Sequence, residues 1–289
     1  MKKLSSIRLT AILCGLALIL LLAACEKNST NLEETPTISK DAAESLAGDL
    51  AYSTGGTIDQ LMDLSTFATV NGMEGLDAKY PNTYFDITRT YDPVSGEWSI
   101  HIERERGTSG SIPYAFVNRD YTLKYMDALG QAQQYYVVNA DTARTIQFNV
   151  VQGSGRHITR RLSQQLNQLH AEWTVTNANQ NFITINGTYN RAAVDTIRTW
   201  NRVRTSDHTL QLNVAEMSVP RGGYPALVNA ISGHITGHFH ADVTFTQGDS
   251  YSEHTIDRDI DIVIGSGRAE IEIGSESFIA DIVSGELVD

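Results

Sequence analysis

The sequence predicts a mainly β protein: one large antiparallel sheet, built as a sandwich or a partial barrel, with two short N-terminal helices packed on it. Three observations predict it. Apolar residues recur at three- and four-residue spacing as far as Phe67, then at two-residue spacing from Thr83 onward. Turns rich in Gly, Pro and Asp separate the two-residue runs. After Thr83 nothing offers the repeated helices that parallel strands need as crossovers, so neighbouring strands must run antiparallel.

The elements follow in order. Ser39 is placed to cap a first helix carrying Ala43, Leu46, Ala47, Leu50 and Ala51 on one stripe, broken by Gly55-Gly56. A second helix carries Ile58, Leu61, Met62 and Ser65 and runs to about Phe67. Both are too short to be stable alone, so their stripes must lie on the sheet. Phe85, Ile87 and Tyr91 then alternate, and the turn Asp92 to Glu97 leads to Trp98, Ile100 and Ile102 as a hairpin. Tyr121, Leu123 and Tyr125 run into the turn Asp127-Ala128-Leu129-Gly130. Ile146, Phe148 and Val150 follow, up to a turn at Gly153-Ser154-Gly155. The stretch from Leu162 to Val175 fits either a helix or a strand, and Thr174-Val175-Thr176 favours the strand. Segments 182–189, 194–203 and 210–214 continue the β pattern, Pro220-Arg221-Gly222-Gly223 interrupts it, and three strands close the chain.

Ahead of the first helix lies a different kind of sequence. Lys2, Lys3 and Arg8 precede an uncharged run from Leu9 to Ala24. At 16 residues the run is shorter than the roughly 20 that span a bilayer. It closes on Leu22-Ala23-Ala24-Cys25, which resembles the lipobox of bacterial lipoproteins. That resemblance implies a signal peptide over residues 1–24 and a mature N-terminus at Cys25, lipidated on its sulfur and amine. Two or three acyl chains anchor stably because each buried methylene contributes about 0.8 kcal/mol. Cys14 would leave with the signal and Cys25 be taken by lipid, so the mature chain could form no internal disulfide. Glu26 follows the Cys in place of the Asp that resembles an inner-membrane retention mark. This favours the outer membrane, or the plasma membrane in a host that lacks one. Residues 25–37 read as a polar tether, and 38–289 as a single helix-plus-sheet domain.

The formal net charge of −12 repels nucleic acid and anionic lipid headgroups from the chain as a whole, which argues against nucleic acid as a partner. It is unevenly spread: eight Arg face four acids over residues 140–215, and twelve acids face two Arg over 241–289. Mutual compensation between these two segments is the simplest expectation.

One patch can carry chemistry. The strand from Ile231 to Phe245 puts Ser232, His234, Thr236, His238, His240, Asp242 and Thr244 on one face. The next puts Asp257, Asp259 and Asp261 on one face, and a third exposes Glu270 and Glu272. Matching polar faces allow a register with His238 beside Asp261 and Glu270, and His240 beside Asp259 and Glu272. Such a face is either a solvated array of imidazolium and carboxylate pairs or a divalent-metal site. For the metal, His234, His238, His240, Asp259, Asp261 and Glu270 are the candidate ligands, since alternate strand residues converge on one cation. No other cofactor is implied.

Catalytic motifs are missing: the sequence has no Gly-x-Ser-x-Gly, no His-Glu-x-x-His, no phosphate loop and no Gly-x-Gly-x-x-Gly. The leading expectation is therefore a lipid-anchored, non-enzymatic structural or binding module of the cell envelope. Its partners would be the membrane, through Cys25, and an unidentified protein or small apolar ligand. Two helices followed by a long antiparallel sheet also resemble, in order of elements only, periplasmic lipoprotein-trafficking half-barrels. That resemblance implies an alternative, a carrier of an apolar ligand or lipid. A metal-binding protein is the third reading.

Overall fold

The alternation that begins near Thr83 builds a single open antiparallel sheet. The computed structural model describes residues 35–73, 84–108 and 110–288. The expected signal segment, Cys25 and the tether as far as Glu34 lie outside them.

Helix α1 spans Thr35–Leu50 and α2 spans Thr57–Phe67. The strands are β1 (Tyr84–Asp92), β2 (Glu97–Arg106), β3 (Tyr114–Met126), β4 (Ala132–Gln133), β5 (Val137–Val138), β6 (Asp141–Thr142) and β7 (Thr145–Ile158). They continue as β8 (Leu162–Thr176), β9 (Phe182–Thr199), β10 (Arg202–Pro220), β11 (Ser232–Gln247), β12 (Ser250–Gly265), β13 (Arg268–Ile273) and β14 (Glu276–Asp281). Apart from the small β5–β6 ladder, every strand joins one twelve-stranded sheet, in the order β1-β2-β3-β7-β8-β9-β10-β11-β12-β13-β14 with β4 beside β3. Each main strand pairs with its next main neighbour along the chain, so the sheet is a meander made of local connections.

Long strands of strict alternation give the sheet two unlike faces. In β3, Ala115, Val117, Arg119, Tyr121, Leu123 and Tyr125 are buried while the residues between them are not. The inward face curves around the helices, since β2, β3, β8 and β10 all reach α2. Tyr125 Oη donates to Phe67 O at 3.0 Å, and Trp173 Nε1 donates to Gln60 Oε1 at 3.1 Å. Ser65 Oγ donates to Pro220 O and accepts from Gly223 N at 2.9 Å. A Cβ on Gly223 would lie 1.7 Å from Thr66 Oγ1, and its φ is +66°, so only glycine fits where this loop crosses the helix. Past β14 the chain returns to the turn after α1, where Tyr52 N donates to Ile282 O and Ser53 N to Val283 O, both at 2.9 Å.

Several details differ from the sequence reading. The first helix begins at Thr35, so Ser39 lies inside it and does not cap it. Segment 162–176 is a strand. Gly153-Ser154-Gly155 is no turn; β7 runs through it with a bulge opposite Asp120 and Tyr121. There a Cβ on Gly155 would lie 2.5 Å from Phe116 O, so the glycine serves close approach of two strands. Segments 182–189 and 194–203 merge into β9, and the hairpin turns at Trp200-Asn201. Most important, α2 is buried at all eleven positions, not along one stripe.

Candidate functional site

Two sites emerge, one on each face of the sheet. The outer one holds the expected His and acidic residues, in a different register. Gly248-Asp249 forms a two-residue turn that pairs Gln247 with Ser250, and this fixes His238 opposite Asp259 and His240 opposite Asp257. Ser266-Gly267, both at positive φ, likewise sets Asp261 opposite Glu272 and Val263 opposite Glu270. The polar faces match as parity requires, but the expected pairings are shifted by two residues.

The consequence is a set of close histidine–carboxylate contacts. His234 Nε2 lies 2.8 Å from both Asp261 carboxylate oxygens. His238 sits between Asp257 (2.7 Å) and Asp259 (3.0 Å), and His240 Nδ1 is 3.7 Å from Asp257. The hydrogen bond to Asp259, backed by both carboxylate charges, raises the His238 pKa above its ordinary value. Glu270 accepts from Ser277 Oγ at 3.3 Å and stands apart from the histidines. Asp257, absent from the candidate ligand set, is the carboxylate the two histidines share. Among the described residues no group of three His, Cys, Asp or Glu is arranged to hold a metal ion.

Register also reveals a feature that a linear reading cannot see. Following partners across the sheet, Thr90, Ser99, Thr122, Asn149, Glu172, Thr188, Asn213, Thr236, Asp261, Glu272 and Ser277 form one unbroken row over eleven strands. Every member carries a hydroxyl, amide or carboxylate, and none is buried. The row runs along an open trough of about 1020 Å³ over β9–β13, which Asn190, Gln211 and His238 also line, and a second hollow of about 420 Å³ over β7–β9. Thr188 belongs to both. Both hollows are shallow and open to solvent.

The inner site was not foreseen. Asp59 on α2 is wholly buried, and its carboxylate meets Arg104, Arg106 at 2.9 Å and Arg119 at 3.4 Å. Arg104 and Arg119 are themselves buried, and Asp63 lies 3.5 Å from Arg104. One turn along α1, Asp49 meets Arg191 at 3.0 Å, His208 Nε2 at 3.0 Å and Gln164 Nε2 at 2.7 Å. The far nitrogen of His208 faces Asp195 at 3.6 Å. Burial alone would raise the Asp49 pKa, but Arg191 and His208 outweigh it and hold the carboxyl below its ordinary range. Burial likewise opposes a charged His208, yet Asp49 raises its pKa. Asp195 is pushed up by burial, with the Asp49 charge adding to the rise. Midway along α1 Asp41 pairs with Arg204, and Glu44 with Arg161 at 2.9 Å. Of the arginines of 140–215, Arg161, Arg191 and Arg204 therefore find acids on α1 and Arg144 finds Asp141; the ion pairs seen among the described residues do not join this segment to the acids of 241–289.

A third feature is a groove of about 700 Å³ beside α1, lined by Ile112, Pro113, Leu162 and Leu287 together with Lys40, Arg160 and His157. His157 is 5% exposed, its Nδ1 has no hydrogen-bond partner, and burial with the nearby Arg191 lowers its pKa to about 4.

No family model, no curated protein and no solved structure matches this chain.

Proposed function

We propose that the protein is a lipid-anchored, non-enzymatic module of the cell envelope that binds a polyhydroxylated chain along the outer face of its sheet. The anchor rests on the Leu22-Ala23-Ala24-Cys25 pattern, and its expected place is the outer membrane. The binding reading rests on one observation, the eleven-strand row of hydroxyls, amides and carboxylates along an open trough. Such groups offer both donors and acceptors, which suits vicinal hydroxyls, and Leu212 and Ile260 in the trough add apolar surface for the faces of sugar rings. The acids at the β12–β13 end further favour a chain bearing amine or amide groups over an anionic one. The helices' place on the inner face supports a structural role for that face and leaves the outer one for recognition.

Two measurements test this. Cell fractionation of the wild-type chain and of Cys25→Ser should find only the former in washed membranes, with acyl chains on its N-terminal peptide by mass spectrometry. A Cys25→Ser protein should also be retarded in gels containing a soluble neutral or amino polysaccharide such as dextran or chitosan. Asn213→Trp, which obstructs the trough from an exposed position, should abolish retardation; equal mobility of both proteins across the panel would sink the binding reading.

The carrier alternative is favoured by a separate observation, the groove with its apolar rim and unpartnered His157. Lipid co-purifying with the wild-type chain and lost in Ile112→Asp would support it. A divalent-metal role keeps a simple test: zinc should stabilise the chain, by about 2.7 kcal/mol at a hundredfold excess over Kd, and less so after His238→Ala and His240→Ala.

A further inference from the structure

One end of the sheet gathers exposed arginines around a bare tryptophan. The β7–β8, β9–β10 and β11–β12 turns lie together there, because Leu162 pairs with Ile197 and Val203 with Thr246. The first two touch, since Arg198 N donates to Arg161 O at 2.8 Å. Trp200 forms the tip of the β9–β10 hairpin and is 102% exposed, whereas Trp98 and Trp173 are buried. Val203 and Tyr251 are exposed beside it.

The charge here opposes that of the chain. Of the arginines at this end, Arg161 pairs with Glu44 and Arg204 with Asp41. Among the described residues Arg160, Arg198 and Arg202 pair with no acid; Arg202 lies over the Phe245 ring at 5.7 Å. Asp249, in the β11–β12 turn, and the exposed Glu253, which accepts from Tyr251 Oη, are acids that share these tips. Three unpaired cations thus cluster in a protein whose net charge is −12.

Position supplies the third strand of the argument. The Asp41–Arg204 and Glu44–Arg161 pairs hold the middle of α1 at this same end. The described chain around Asp41 and Glu44 therefore lies at this end of the sheet.

We propose that this end of the sheet docks on the surface of an anionic lipid bilayer, with the Trp200 indole in the headgroup layer and Arg160, Arg198 and Arg202 on lipid phosphates. This rests on the lipid-anchor reading only for the identity of the surface, the membrane that Cys25 would tether. Indole rings settle at membrane interfaces because one edge is apolar and the other donates a hydrogen bond. Arginine forks match phosphate oxygens bidentately. Docked this way, the sheet stands end-on and its outer trough faces sideways, open to a polymer.

The test uses the chain from residue 25 with Cys25→Ser, so that no acyl chain contributes. It should sediment with phosphatidylcholine vesicles containing phosphatidylglycerol, and at least tenfold less with phosphatidylcholine alone or in high salt. Trp200 emission should shift to the blue on binding, and the shift should vanish in Trp200→Ser. Arg160→Ser, Arg198→Ser and Arg202→Ser together should weaken binding roughly a hundredfold, since each surface cation contributes about fivefold. All these residues are exposed, and unchanged thermal unfolding confirms the fold. No sedimentation with anionic vesicles, a triple variant that binds like its parent, or binding to soluble polyanion as strong as to vesicles with no emission shift would each overturn the proposal. The anchor reading is read out separately, by acylation of Cys25 in the wild-type chain.

Discussion

The two faces of the sheet use the same chemistry, cations against carboxylates, in opposite surroundings. Outside, His238 lies between Asp257 and Asp259 with all three side chains open to water. Inside, Asp59 lies among Arg104, Arg106 and Arg119, and Asp49 between Arg191 and His208, all buried except Arg106, which is partly exposed. Solvent screens the first set, and burial shields most of the second. An exposed pair contributes about 0–1 kcal/mol, whereas removing one member of a buried pair typically costs about 3–5 kcal/mol, because the other charge is stranded. The inner pairs therefore act as constraints on where the helices sit, and the outer pairs leave their groups available to a ligand.

The largest expected difference comes from Asp59→Ala. It leaves Arg104 with the longer contact to Asp63 and Arg119 with no carboxylate among its contacts, and we predict a loss of about 3–5 kcal/mol in urea unfolding. Asp259→Ala, the outer counterpart, should cost under about 1 kcal/mol. Comparable losses for the two would show that the inner arginines reach water, and the contrast between faces would collapse.

Acid should separate the faces next. His157 has a folded pKa of about 4 against an ordinary 6.5, so the unfolded chain takes up a proton in this interval and the folded one does not. Its contribution to stability is present above pH 6.5 and is lost as pH falls toward 4, about 3 kcal/mol in all. His157→Gln should flatten that part of the stability profile. The inner pair has two further signs. Asp49, lowered, stabilises above the ordinary carboxylate range and loses its effect as pH falls through its folded value. His208, raised, stabilises fully below the ordinary His value and loses its effect as pH rises through its folded value. A profile unchanged by His157→Gln would mean that this ring is hydrated.

How much of this was legible follows from the same contrast. The sheet was readable because inward and outward residues alternate strictly along each strand, and a period of two survives in a linear sequence. The ambiguous run from Leu162 was settled by pairing, which no local pattern contains. The inner charges left a signal that went unread: Arg104 is in phase with Ile100 and Ile102, and Arg119 with Tyr121 and Leu123. An ionisable side chain at a core position of an alternating strand demands a buried partner. Asp59 and Asp63 met that demand from α2, but one apolar stripe was taken as the helix's whole buried surface. The outer row stayed hidden for a different reason. It depends on registers summed over eleven strands, and one misplaced two-residue turn moves its members apart.

The smallest expected effect tests whether the outer face is as free as its exposure suggests. Asp259→Asn removes the first cause of the raised His238 pKa, so the imidazole should titrate lower by proton NMR while still feeling Asp257. Stability should change by no more than about 1 kcal/mol, and the shift in titration should shrink in high salt, because the Debye length falls to about 3 Å at 1 M. The sign matters as well: the pair's contribution is complete below the ordinary His value and fades as pH rises through the raised one. A titration indifferent to salt, or a loss as large as that of Asp59→Ala, would mean that the trough is closed to solvent. An outer face closed in that way could not present its row of hydroxyls and amides to a polymer.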